Sequence, residues 1–339
     1  MRVQQLYKTF FITVCCSCLY ANYTKAQDPH FSQYFSSPLT FNPALAGYFD
    51  GTQRLAINFR NQWSGGGDPY TTGTFSFDTK LMQDKIGTND RWGLGVHALY
   101  DQTSGGIYKN AYVALSTAFN KGLDAYGDQT IGIGIQASYA RNSVDFSRIS
   151  FSNQFNGNGF DMSVPSGETI NNQSISYVDL NAGLLYNYKD DAGNLFTFGA
   201  SLFHILQPKL SFFSGNNNSL PRRYAFHAGA GFTIREKDNF FVSGHAMQQN
   251  GAKETVIGAA YGLGLTSVDL NIYLGGWLRI NDAVYPYLGL RTPDYQLGFS
   301  YDITNSDLRR VKKFIGSTEI SFIYFFGVGE RRKGIPCFF

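Results

Sequence analysis

Histidine is the side chain most ready for chemistry near neutral pH, and the chain has five: His30, His97, His204, His227 and His245. None belongs to a His-x-x-x-His pair, and after residue 26 no Cys-x-x-Cys or calcium-loop pattern occurs. The spacing therefore supports no metal site and implies no cofactor. Residues two or four apart on a strand share a face, so Ser243 with His245, or His97 with Asp101, are the pairs from which a hydrolase would have to be built. Neither comes with an activated nucleophile, and no catalytic residue is expected. Glycine pairs such as Gly132-Ile133-Gly134 and Gly229-Ala230-Gly231 lack the strand-to-helix setting in which glycines cradle phosphate; relief of crowding within a strand is the expected role. The adjacent Arg222 and Arg223 in SLPRRY, and the cluster RRVKK that begins at Arg309 and Arg310, are the remaining candidates, for lipid phosphates or a partner carboxylate.

These side chains need elements to carry them, and composition narrows what those are. Charged residues make up 16% of the 339 residues and aromatics another 16%, with 37 glycines. An ordinary globular protein has roughly 25% charged residues. No stretch after residue 26 approaches the ~18 consecutive apolar residues of a helical span. Few charges, many aromatics and many glycines without helical spans point to a membrane β-barrel.

Alternation supports this reading. Leu55, Ile57 and Phe59 share one parity, as do Trp92, Leu94, Val96, Ala98 and Tyr100, then Ile131, Ile133, Ile135, Ala137 and Tyr139, with charges kept to the other parity. A basic residue facing mid-bilayer lipid costs roughly 2–4 kcal/mol, so a barrel wall requires that separation. The same pattern predicts fourteen antiparallel strands over 53–62, 71–80, 91–101, 108–119, 130–141, 175–188, 195–206, 222–234, 239–248, 254–263, 268–279, 283–291, 294–303 and 316–326. Connections alternate between long (143–174, 207–221, 304–315) and short (KDDAGN, REKD, LTS), the loop asymmetry of outer-membrane barrels. A soluble β-sandwich also alternates, but its outer faces should carry many charges.

The ends of the chain read differently. Residues 1–26 combine Arg2 and Lys8, an apolar run from Phe10 to Ala21 and a small residue at Ala26, the pattern of a secretory signal peptide. Cys15, Cys16 and Cys18 lie there without the Leu and small-residue context of a lipoprotein signal. Removing this segment takes away three basic residues and no acid, which cancels the formal net charge of +3. A neutral chain argues against nucleic acid as a partner. Cys337 would be left as a single thiol in a tail over 327–339. Residues 27–51, opening QDPHFSQYFSSPLTFNPALAG, have neither strand nor helix period. The expectation is an irregular periplasmic-side segment and candidate plug, with Phe31, Tyr34, Phe35 and Phe41 packed into or across the periplasmic mouth of a barrel spanning 52–326.

The opening stretch, together with Asn61-Gln62-Trp63, Tyr177 to Gly183, His204-Ile205-Leu206-Gln207-Pro208, Leu220 to Tyr224 and Gly298 to Asp302, resembles the PorP/SprF family of type IX secretion system outer-membrane proteins of Bacteroidetes. The resemblance runs over essentially the whole chain after residue 26; the order Pro336-Cys337 departs from it. It implies a barrel that works with the secretion system to export and anchor a surface protein, such as a gliding adhesin, by binding its C-terminal domain. It also implies secretion components as partners, and supplies no catalytic residues. The expectation is a monomeric barrel in outer-membrane lipid that meets its partner through its long loops, with the lumen as a second candidate surface, and with Trp63, Phe155 and Phe213 as aromatic anchors beside Arg222, Arg223, Arg309 and Arg310. A porin-like channel for small solutes is the rival, disfavoured by Leu99, Leu185 and Trp277 on the inward parity.

Overall fold

The computed structural model describes residues 27–328 except 65–67, 171, 214–217, 236–237, 266 and 307–315. The signal-peptide expectation, most of the tail, and Arg309 and Arg310 lie outside the described residues.

Alternating sequence becomes a closed sheet. The strands are β1 (Gln53–Ser64), β2 (Tyr70–Leu81), β3 (Arg91–Thr103), β4 (Tyr108–Gly122), β5 (Gln129–Val144), β6 (Ser174–Lys189) and β7 (Leu195–Phe203). They continue as β8 (Arg223–Thr233), β9 (Asn239–Gln249), β10 (Ala252–Leu265), β11 (Leu270–Arg279), β12 (Ala283–Arg291), β13 (Tyr295–Thr304) and β14 (Gly316–Phe326). Each pairs antiparallel with its sequence neighbours, and β1 closes on β14, with Leu55 opposite Tyr324 and Arg60 opposite Glu319. Closure leaves no sheet edge to satisfy, which is what lets strands cross a membrane at all.

The two faces separate as the parity requires. On β5, Ile131, Ile133, Ile135 and Tyr139 are exposed outward, while Thr130, Gln136 and Ala140 point in and are buried. Large apolar side chains cover the outer wall all the way round, among them Leu115, Leu184, Leu274 and Ile320. A soluble sandwich would bury these residues, whereas a lipid-facing wall displays them. No described helix is long and apolar enough to cross a membrane.

At one end of the barrel the connections are short (190–194, 234–238, 292–294); at the other lie the described parts of 145–173 and 204–222, and the end of β13. Some loop-end hairpins are tight too: Asn250 and Gly251 join β9 to β10 with φ of 47° and 73°, the positive pair that a two-residue hairpin turn needs. Boundaries shift where the backbone breaks the ladder. β7 stops at Phe203 rather than 206 because His204 takes φ 59°, and β11 starts at Leu270 rather than 268 because Asp269 takes φ 46°.

The largest departure from the expected layout is inside the barrel. Residues 27–51 do not stay at the short-turn mouth. They begin beside the loop-end residues Gln249 and His204 and run through the lumen to join β1 at the opposite end. Two physical conditions allow this. Several inward positions are glycines, which leave room, and many others are charged or polar groups that must find partners once they are removed from water.

Candidate functional site in the barrel lumen

Apart from Asp101, every inward-facing carboxylate and guanidinium described below meets residues 27–51 or a neighbour that does. At the loop end, Asp28 accepts hydrogen bonds from Gln249 Nε2 at 3.1 Å, while its own N–H donates to Gln249 Oε1 at 2.8 Å. Its Oδ2 lies 2.7 Å from His204 Nε2 and 3.2 Å from Arg223 Nη1. The other ring nitrogen of His204 faces Asp179. Burial opposes charge on His204, yet the Asp28 and Asp179 carboxylates outweigh it and raise its pKa to about 9. Burial likewise works against ionised Asp28, but His204 and Arg223 hold it well below the usual carboxylate range.

One layer deeper, Glu319 of β14 accepts the N–H groups of Ser32 and Gln33, one on each oxygen, at 2.7 and 2.9 Å. Asp302 of β13 accepts the Ser32 hydroxyl and pairs with both Arg60 and Arg279, at 3.0 and 3.1 Å. Arg60 also donates to the His30 carbonyl at 2.6 Å. Glu254 receives His30 and His245, each at 2.9 Å. A buried charge is tolerable only when paired and hydrogen-bonded, and here part of the pairing is supplied by the backbone of the threaded segment.

Below the charges lies an aromatic layer. Pro38 and Pro43 begin short helical turns at 38–41 and 43–45, so this backbone has no donors to offer a ladder at those points. A preceding turn at 34–36 and the turn at 38–41 place Tyr34, Phe35 and Phe41 against Phe241, Tyr273, Trp277, Tyr285 and Tyr287. Phe35 lies 5.3 Å from Trp277 and edge-on to Tyr287 at 5.5 Å. Phe31 is buried as well.

Towards the short-turn end the segment presses directly on glycines. A Cβ on Gly134 would come 2.4 Å from Ala44 N, one on Gly183 2.0 Å from Asn42 Oδ1, and one on Gly93 2.1 Å from the Ala46 carbonyl. Arg54 and Asp78 then form a two-pronged pair, at 3.0 and 2.8 Å. Asp78 also accepts Gly47 N–H, and Arg54 donates to the Leu45 carbonyl. The segment is thus fixed to strands on opposite sides of the barrel at once.

The expected loop residues are scattered. Trp63 sits at the loop end of β1 in a left-handed conformation, φ 60°, edge-on to Tyr70. Phe213 pairs with Ile170 and packs on Phe146, so it ties loop 204–222 to loop 145–173. Phe155 is exposed in a small hairpin against Phe160. Arg222 is exposed, but Arg223 turns inward: it donates to the Thr40 carbonyl, pairs with Asp28 and lies over the Phe203 ring. As a partner contact Arg223 is therefore corrected, because its guanidinium is spent on the chain's own lumen segment.

The weighed hydrolase pairs do not form. His245 turns its Nε2 to Glu254, Ser243 accepts the Trp277 indole N–H, and Tyr34 and Phe41 cover the histidine ring. Asp101 takes the Thr72 hydroxyl rather than His97. The residues that sequence reasoning missed are Asp28, His30, Arg60, Glu254, Arg279, Asp302 and Glu319. Apart from Asp28 and His30, all sit on the inward parity of their strands, a signal that was present but named no partner.

Comparison with known proteins follows the fold. A family model described as type IX secretion system membrane protein PorP/SprF matches residues 23–324. No curated protein sequence matches. Among solved structures, the Pseudomonas putida toluene transporter TodX is similar with a TM-score of 0.50 and 11% identity, over 88% of this chain and 94% of that one. A Pseudomonas aeruginosa FadL homologue is similar with a TM-score of 0.48 and 10% identity, over 84% of this chain and 93% of that one. At such identities the likeness concerns the barrel fold.

Proposed function

Because the chain belongs to the PorP/SprF family of type IX secretion system membrane proteins, we propose that it is an outer-membrane barrel that helps export and anchor a surface protein by binding that protein's C-terminal domain at the long-loop end. A gliding adhesin is the kind of cargo meant. The barrel acts as a monomer within outer-membrane lipid and works beside the other secretion components. The residues 27–51 plug the lumen, so the barrel holds its partner rather than passing solutes.

The observation that carries this reading is the filled lumen. Residues 31–49 are buried except for half-buried Thr40, and their backbone is hydrogen-bonded to the barrel wall at Glu319, Asp78 and Arg54. A porin-like channel needs a continuous aqueous path, and the aromatic layer of Tyr34, Phe35 and Phe41 lies across it. With the interior taken, the surface left for a macromolecule is the loop end. There, loops 145–173 and 204–222 are joined through Ile170 and Phe213, and Phe155 and Arg222 stand exposed. Trp63 is at the same end; Arg309 and Arg310, outside the described residues, are proposed as partner contacts from the sequence alone. Contacts spread over such loops suit an interface of many polar and aromatic residues.

Two measurements test it. Pull-down from detergent-solubilised outer membranes should recover a surface protein with a C-terminal secretion domain, or a secretion component; recovery of neither sinks the proposal. In planar bilayers the purified barrel should show no large steady conductance, and a steady open channel would favour the solute-channel reading instead.

A further inference from the structure

On the outward parity of the strands the charged residues are Lys109 and Lys121 on β4, Arg141 on β5 and Lys253 on β10, and all are basic. At the short-turn end, Lys121 has its Nζ 2.8 Å from Asp90. At the loop end of the same strand Lys109 is exposed and has no ion pair among the described residues, and the same holds for Arg141. A bare cation on a membrane barrel's outer wall costs little only where it reaches the lipid headgroups.

Strand register puts two of these cations side by side. Lys109 stands opposite Ser143, and Ala111 opposite Arg141, so Lys109 and Arg141 are diagonal neighbours on adjacent strands, about 7–8 Å apart at the backbone. On β6 the same rows continue as Ser174, opposite Ser143, and Ser176, opposite Arg141. Arg141 Nη2 donates to the Ser174 hydroxyl at 3.1 Å. Between Tyr100 and Arg141 the register leaves only the Ala111 methyl, a dip in the wall one outward step below Lys109. One further step towards the middle of the barrel the row reads Ala98, Val113, Tyr139 and Val178, the last three each more than half exposed. Cations and hydroxyls directly above an exposed apolar row are what a lipid with an anionic headgroup requires: its phosphate takes charge-assisted hydrogen bonds while its chains cover the wall below.

We propose that Lys109 and Arg141 bind the phosphate of a lipid in the leaflet at the loop end, with the hydroxyls of Ser143 and Ser176 as further donors and the acyl chains along Val113, Tyr139 and Val178. The assignment rests on the barrel spanning a membrane, not on the partner-binding function proposed above. A forked guanidinium beside a point-charge ammonium suits a tetrahedral phosphate with several free oxygens. Lys253 makes no such site, because Gln248 stands opposite it on β9 and no second cation lies beside it there.

The test titrates the full barrel in detergent with dioleoyl phosphatidic acid, with dioleoylglycerol, which lacks the phosphate, and with glycerol 3-phosphate, which lacks the chains, and reads bound ligand by native mass spectrometry. Phosphatidic acid should bind at least tenfold tighter than either of the others. Dioleoylglycerol binding as well would reduce the site to apolar wall, and glycerol 3-phosphate binding as well would make it a site for free phosphate. Either result, or no binding of phosphatidic acid, overturns the assignment, and this comparison needs no variant to fold. The double variant Lys109→Gln with Arg141→Gln should bind phosphatidic acid at least tenfold more weakly, while Lys121→Gln, which removes a lysine already paired with Asp90, should bind it like the unaltered barrel. Undiminished binding by the double variant places the lipid elsewhere, and an equal loss on Lys121→Gln makes the effect one of net charge; both overturn the assignment.

Discussion

Asp28 Oδ2 lies 2.7 Å from His204 Nε2, which ties the start of the lumen segment to the loop after β7 through an ion pair whose strength depends on pH. His204 has its pKa raised to about 9, above the ~6.5 of an unperturbed histidine. Its contribution is therefore fully present below about pH 6.5 and is lost as pH rises through about 9. Asp28 is shifted the other way, so its contribution is present above about pH 4 and is lost as pH falls further. The clamp should be strongest between about pH 4 and 6.5. Hydrogen exchange corrected for intrinsic rates should show residues 28–33 less protected at pH 10 than at pH 6, by up to about 2–3 kcal/mol of opening free energy. Equal protection at the two pH values would remove His204 from the clamp.

Glu319 gives a second handle because it joins the closing strand to the segment. It accepts two consecutive backbone N–H groups, the Asn58 amide at 2.8 Å, and lies 4.0 Å from Arg60. Glu319→Ala would leave those donors and part of the Arg60 charge buried without a partner, a loss of about 3–5 kcal/mol. Urea unfolding of the barrel in lipid vesicles should record it, and a loss below about 1 kcal/mol would mean that water replaces the carboxylate. Glu319→Gln keeps the shape but offers only one acceptor oxygen, so it should fall between the two.

The aromatic layer makes a separate contribution. Phe35 is 2% exposed, between Trp277 and Tyr287. Phe35→Ala would open a cavity costing about 3–5 kcal/mol, while Phe155→Ala, on an exposed hairpin ring, should cost less than about 0.5 kcal/mol. The same unfolding measurement ranks them. Equal effects would mean that the lumen layer collapses around the missing ring.

The wall of this molecule is legible from sequence because one rule, apolar out and polar in, repeats with period two along every strand. Ile131, Ile133 and Ile135 state it on β5, and closure then follows from pairing. The interior obeys no such period. Ser32 meets Glu319 across a sequence separation of 287, and nothing local in QDPHFSQYF specifies that partner. Arg223 is an intermediate case: Tyr224 and Phe226 face outward, so parity already turned Arg223 inward and Arg222 outward. The inward Leu185 and Trp277 signalled filling, and they pack on residues 44–48 and on Phe35. The glycines were legible as relief of crowding, but what they make room for appears only once the segment is threaded past them.

Gly134 turns that last point into an experiment. A Cβ there would stand 2.4 Å from Ala44 N and 2.5 Å from Ala44 Cα, both backbone atoms that cannot rotate aside. β5 itself would accept valine, a strong strand former, so Gly134→Val should leave the wall intact while displacing the segment near Ala44. A Cβ on Gly73 would meet no atom within 4 Å, so Gly73→Val is the control. Limited proteolysis should then cleave within residues 30–50 of the Gly134→Val barrel at least tenfold faster than in the Gly73→Val barrel, and planar-bilayer recordings should show a conductance that the control lacks. Faster cleavage without conductance would mean that the segment moves but still blocks the lumen. No change in either would mean that β5 bends to accommodate the side chain, so that residues 42–47 are held more firmly than the wall that surrounds them.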